Sequence, residues 1–159
     1  MNDMKLCVFS DSHGCATHMI RAIEREKPAM FLFLGDGERD LAAVKERFPT
    51  LPFYAVRGNC DLRSSLSSML VCAIGGTRFF LSHGHLFQVK YEPGLDTLLA
   101  AARDAGASVA LFGHTHHPYC EKQRGVLLLN PGTIGRVAHP SYALLSLEAG
   151  KIKAELKTL

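Results

Sequence analysis

No apolar run in the sequence approaches the roughly 20 residues that span a bilayer. The opening stretch MNDMKLCVFS carries one lysine and a very short apolar segment before DSHG, so the apolar core of a secretory signal is missing as well. Both absences lead to the expectation of a cytoplasmic protein with no membrane partner. Cysteines at C-x-x-C spacing are also lacking. Cys7, Cys15, Cys60, Cys72 and Cys120 are odd in number and scattered, which fits reduced thiols better than a disulfide framework. Charge of one sign is scarce: 18 Lys+Arg against 15 Asp+Glu leave +3, with no basic patch or tail. A nucleic-acid partner is thereby disfavoured, though not excluded. With no repeats, low-complexity tracts or linkers, one domain over residues 1–159 is expected.

What is present is an alternation of short apolar runs and helical spacings. MKLCVFSD (4–11), MFLFLGD (30–36) and PFYAVRGN (52–59) read as buried strands. Between them THMIRAIEREK (17–27) and RDLAAVKERF (39–48) place apolar residues three and four apart, and each is followed by a proline, which predicts helices. MLVCAIGGTRFFLSHG (69–84) reads as a hairpin about Gly75-Gly76. LDTLLAAARDAG (95–106) predicts a helix with Gly106 at its C-terminal cap, and SVALFGH (108–114) another buried strand. Two further hairpins turn about Gly125 and EAGK (148–151). The pattern predicts an α/β sandwich with mixed sheets.

The chemistry lies in what ends those strands. The first delivers Asp11 and His13, the second Asp36 and the third Asn59. The hairpin delivers His83, and LFGHTHHP (111–118) delivers His114 and His116. All are oxygen or imidazole donors, and the carboxyl ends of strands are where open α/β sheets bind ligands. In an extended segment His114 and His116 would share a side, and Gly113 would allow close backbone approach. His117 would then point elsewhere. Seven donors exceed the four that one zinc takes. They suit two adjacent divalent cations that share Asp36, with a bridging hydroxide as the nucleophile on a phosphoester. The histidine-rich set favours Mn²⁺, with Fe²⁺, Co²⁺, Ni²⁺ or Zn²⁺ as alternatives, over Mg²⁺ or Ca²⁺.

Taken singly, D-x-H, G-D and G-N-C-D each read as an ordinary turn. Taken in order, D-x-H (11–13), G-D (35–36), G-N-C-D (58–61), H-G-H (83–85) and G-H-T-H (113–116) resemble the calcineurin-like metallophosphoesterase superfamily, in its small single-domain prokaryotic phosphodiesterase branch. NPGT (130–133) is similar to a turn of that branch. The resemblance implies a four-layer αββα sandwich of two mixed sheets, with a dinuclear site at the strand ends. It further implies that Asp11, His13, Asp36 and His116 hold one metal and Asp36, Asn59, His83 and His114 the other. The amide nitrogen of Asn59 would touch substrate phosphate. Many relatives carry histidine where this chain has Cys60, on the leaving-group side, and a thiol is a poor substitute for imidazolium. Protonation of the leaving group then falls to His85 or water, or the substrate needs little help. His85 is otherwise open between substrate contact and support of its neighbours.

The expected activity is that of a metal-dependent phosphodiesterase acting on a small-molecule diester. A non-catalytic interaction scaffold is the alternative, since the resemblance extends to a retromer subunit of the same fold. A nuclease or cyclic-nucleotide hydrolase ranks lower, and a homo-oligomer is open. His18 is expected on an exposed helix face and His139 in a surface loop. Cys7 and Cys72 are expected in the core, and Arg57, Arg63 and Arg136 in solvent.

Overall fold

Strand β1 (Met4–Phe9) sets the layering. Successive strand side chains leave opposite faces, so Leu6 and Val8 point one way while Cys7 and Phe9 point the other. All four are fully buried, which requires a cover on both faces. Helices α1 (Ala16–Glu26) and α2 (Asp40–Arg47) cover the Cys7/Phe9 face, inserting Met19, Ala22, Ile23, Leu41 and Val44. A second sheet covers the Leu6/Val8 face through Phe79, Leu81, Val109, Leu111 and Leu129. The computed structural model describes residues 3–159.

The first sheet runs β10 (Lys151–Thr158), β9 (Ser141–Glu148), β1, β2 (Met30–Phe33), β3 (Phe53–Ala55). Its β1, β2 and β3 are parallel, with β9 and β10 antiparallel beside them. The second runs β4 (Met69–Ile74), β5 (Thr77–Ser82), β6 (Val109–Leu111), β8 (Val126–Asn130), β7 (Tyr119–Gln123). There β5, β6 and β8 are parallel and the edges β4 and β7 antiparallel. Helix α3 (Asp96–Asp104) packs Leu98, Leu99 and Ala102 onto the outer face, against Phe80, Ala110, Phe112 and Leu128. The layers are therefore helix, sheet, sheet, helix. Among the described residues no helix is long and apolar enough to cross a membrane.

Each expected strand that carries a site residue stops early. β1, β2, β3 and β6 end at Phe9, Phe33, Ala55 and Leu111, not at 11, 36, 59 and 114. Asp11, Asp36 and His114 adopt φ of 57°, 61° and 70°, which a β ladder cannot contain. The extended geometry expected for GHTH is corrected for the same reason, since His116 also sits at φ 64°. His114 and His116 reach the centre through a left-handed turn.

Leu32 is fully buried between the two sheets. Leu32→Ala should lower the unfolding free energy by about 2–5 kcal/mol, read as a lower urea midpoint at unchanged slope. A midpoint within error of the parent would show that the inter-sheet core does not carry the fold.

Candidate metal centre

Asp11 is fully buried two residues beyond β1. Its Oδ2 accepts hydrogen bonds from Ser10 Oγ at 2.5 Å and from the His114 N–H at 3.1 Å. Its Oδ1 is buried with no hydrogen-bond partner. Facing that oxygen are His116 Nε2 at 3.1 Å, His13 Nε2 at 3.5 Å and His83 Nε2 at 3.8 Å. A buried carboxylate oxygen without a hydrogen bond is costly. Three imidazole nitrogens turned toward it mark the place where a cation would restore the balance.

Asp36 stands beside it, 3% exposed. Its Oδ1 accepts the Cys60 N–H at 2.8 Å, and its Oδ2 lies 3.2 Å from His83 Nε2 and 3.9 Å from His13 Nε2. His83 Nδ1 is 2.8 Å from the Leu34 carbonyl, which can only accept, so Nδ1 carries the hydrogen. The Nε2 of the neutral ring is left as the donor atom, in the arrangement by which outer hydrogen bonds orient metal-binding imidazoles. His83 Nε2 and His114 Nδ1 are 3.2 Å apart.

In each of three groups the donor atoms all lie within 4.8 Å of one another: Asp11, His13 and His116; Asp36, His83 and His114; His13, Asp36 and Cys60. The first two bring together six of the seven expected donors. Asn59, the seventh, is exposed on the same loop as Cys60, with its amide nitrogen 3.5 Å from Cys60 Sγ. His85 is half-buried, its ring 5.5 Å from that of His83, and its Nδ1 is buried without a partner. His117 is exposed.

The charges answer one another. Burial alone would raise the Asp36 carboxyl, but the His83 hydrogen bond, the Cys60 N–H and the His83 charge hold it well below the usual carboxylate range. Burial would likewise lower His83, yet Asp36 and Asp11 hold it above the usual imidazole range. His114 is pushed down to about 4 by burial and then by the His83 charge. Both carboxylates thus favour a positive charge on His83. A divalent cation would replace it, and the mixed oxygen and imidazole set fits a first-row transition metal.

Residues outside the donor set hold it in place. Asp61 Oδ2 accepts the N–H groups of Asp36 and Gly58, both at 2.8 Å, while Oδ1 accepts those of Gly37 at 2.9 Å and Glu38 at 3.0 Å. One carboxylate thus joins the β2 loop to the β3 loop. Asp40 Oδ2 accepts Ser12 Oγ at 2.5 Å and the Gly14 N–H at 2.9 Å, anchoring the D-x-H loop. Asn130 Nδ2 donates to the Gly113 carbonyl and to Thr115 Oγ1, both at 3.0 Å, tying NPGT to GHTH. Gly113 permits the expected close approach, because a Cβ there would collide with Ser10 Oγ. The positioning roles of Asp61, Asn130 and Asp40 are not evident from the sequence. The signal was a polar residue in a strand-end loop with no assigned task. His18 corrects the expectation of an exposed face. It is half-buried, with Nδ1 2.9 Å from the Ile134 carbonyl, because the loop after NPGT folds over the start of α1. His139, Arg57, Arg63 and Arg136 are exposed, Cys7 is buried, and Cys72 packs partly buried against the inter-sheet core.

Converging carboxylates and imidazoles on an αββα sandwich define the metallophosphoesterases. Residues 4–150 match the calcineurin-like phosphoesterase superfamily domain, and the chain belongs to that superfamily. It is 34% identical over 149 residues to the probable metallophosphoesterase YsnB of Bacillus subtilis, covering 91% of this chain and 85% of that one. Against the phosphodiesterase YfcE of Escherichia coli K12 the identity is 32% over 157 residues, covering 82% and 79%. A conserved Streptococcus pneumoniae protein, described as a predicted phosphoesterase, superposes with a TM-score of 0.83 at 27% identity, covering 99% and 91%. Vps29 of Cryptosporidium parvum gives 0.75 at 21% identity over 99% and 98%, a likeness of fold alone.

Two outcomes follow for the metal. Asp61→Asn removes one of the two acceptor oxygens, so Mn²⁺ affinity by calorimetry should fall roughly 10–100-fold with unchanged circular dichroism. An unchanged affinity would show that Asp61 does not position Asp36. If His83 ligates the metal it must first lose its proton, so Mn²⁺ affinity should rise as pH is raised from the acid side through the His83 titration. A pH-independent affinity would remove His83 from the donor set.

Proposed function

We propose that the protein is a metal-dependent phosphodiesterase that hydrolyses small-molecule phosphodiesters. The supporting observation is the buried, unpartnered Asp11 Oδ1 ringed by three imidazole nitrogens beside Asp36. The phosphodiesterase name borne by YfcE supports the diester. In this reading Asp11, His13, Asp36 and His116 hold one divalent cation, and Asp36, Asn59, His83 and His114 hold a second, with Asp36 shared. Manganese is the metal of choice, ahead of iron, cobalt, nickel and zinc. Bound there, two such cations would supply acidification of water and neutralisation of phosphate charge.

The side chains then divide the remaining work. Asp36 keeps its charge because His83 and the Cys60 N–H stabilise the anion. Asp11 is fixed by Ser10 and by the His114 backbone, so its free oxygen cannot swing away. The amide nitrogen of Asn59 donates to a substrate phosphate oxygen from the exposed loop. A cleft of about 440 Å³, lined by His13, Asp36, Glu38, Arg39, Cys60 and Leu62 among others, receives part of the diester. His85, whose ring lies 5.5 Å from that of His83, contacts the substrate or its leaving group. Cys60 stands on the leaving-group side and is a weaker acid there than a histidinium would be. Diesters whose leaving group needs little protonation are therefore preferred. The five unpaired cysteines suit a reducing compartment such as the cytoplasm.

The test is hydrolysis of bis(p-nitrophenyl) phosphate by chelator-treated protein with and without added Mn²⁺. Turnover should require the metal, and Asp36→Asn should reduce kcat about a thousandfold, or ~4 kcal/mol in the barrier. No metal-dependent turnover on any of several phosphodiesters would overturn the proposal.

A further inference from the structure

We infer that Cys60 Sγ is itself a metal ligand for thiophilic divalent cations, zinc or cadmium, which with His13 and Asp36 it holds in a second mode of occupancy, distinct from the manganese-loaded centre. This rests on the reading of the centre as a metal site and adds a sulfur to it. One His13 ring nitrogen, one Asp36 carboxylate oxygen and Cys60 Sγ all lie within 4.8 Å of one another. Around tetrahedral zinc, bonds of ~2.0 Å to nitrogen and ~2.3 Å to sulfur set neighbouring donors about 3.5 Å apart. Small side-chain rotations therefore suffice to close the group on one ion.

The main chain that carries the sulfur is held in place. The Cys60 N–H is tied to Asp36 Oδ1 at 2.8 Å, and Asn59 Nδ2 donates to Sγ at 3.5 Å. Asp61, two bonds of which hold Asp36 and Gly58, fixes the loop from both ends. Next to the group, the buried and unpartnered Asp11 Oδ1 lies 3.5 Å from His13 Nε2, so its negative charge also favours a cation there. Cys60 and His13 both border the 440 Å³ cleft, which leaves a coordination position for water.

Selectivity follows from softness. Thiolate prefers zinc and cadmium, whereas manganese prefers oxygen. His13 belongs to two donor groups, one with Asp11 and His116 and one with Asp36 and Cys60. A hard ion is drawn to the first and a soft ion toward the second. On binding, the sulfur–metal bond forms as the thiol proton leaves to solvent, with no change of oxidation state.

Cobalt(II) is the probe, titrated anaerobically into the full chain and followed by absorption. The wild type should show visible d–d bands together with a near-ultraviolet sulfur-to-cobalt charge-transfer band. Cys60→Ser, a change at an exposed position, should keep the d–d bands and lose the charge-transfer band. Visible bands without charge transfer in the wild type, or charge transfer that survives in Cys60→Ser, would overturn the sulfur ligand and leave the metal centre standing. Absence of all bands would overturn both. In parallel, zinc should slow iodoacetamide labelling of Cys60 roughly tenfold or more while manganese leaves it nearly unchanged. Equal rates in the two metals would overturn the selectivity.

Discussion

Two carboxylates taken out of water within reach of the same imidazoles form the constraint around which the molecule is built. An uncompensated buried carboxylate is expensive, and Asp11 and Asp36 lie side by side, 0% and 3% exposed. His83, whose charged form both carboxylates favour, and backbone N–H groups offset part of that cost. That solution is incomplete, because Asp11 Oδ1 still lacks a hydrogen bond. The double sheet explains why the carboxylates meet at all. β1, β2 and β3 end together in one sheet and β5 and β6 in the other, and the Leu6–Val8 core presses the two sheets face to face.

Holding these groups in place has a conformational cost. Asp11, His13, Asp36, His114 and His116 all adopt positive φ, between 43° and 70°. For a residue with a Cβ the left-handed region costs roughly 1–2 kcal/mol, so the five together cost several. The opposing term is equally local. Asp61 accepts four backbone N–H bonds and Asp40 two bonds, one from an N–H and one from a hydroxyl. Hydrogen bonds to a charged acceptor contribute about 1.5–3 kcal/mol each. The strained loops persist because these neighbouring carboxylates tie them down. Rigid placement of donors is what a cation-binding centre requires of its scaffold.

Much of this was legible before any coordinates. Periodicity marks the helices and the buried strands, and glycine turns mark the hairpins. The donors Asp11, His13, Asp36, His83, His114 and His116 stood out because each interrupts an apolar run at a strand end. Strand ends were placed two to four residues too late, because an apolar letter does not reveal where φ changes sign. The roles of Asp61, Asp40 and Asn130 were hidden for a different reason. Their partners are main-chain groups of other loops, and spacing along the chain carries no record of them. His18 was misplaced likewise, as its partner carbonyl is 116 residues away.

The central claim is that Asp36 is shared by two cations. Anomalous scattering at the manganese edge, from crystals grown with Mn²⁺, tests it directly. Two peaks about 3.5–4 Å apart, both within bonding distance of Asp36, are expected. A single peak, or a pair that leaves Asp36 outside the coordination of either ion, would contradict it.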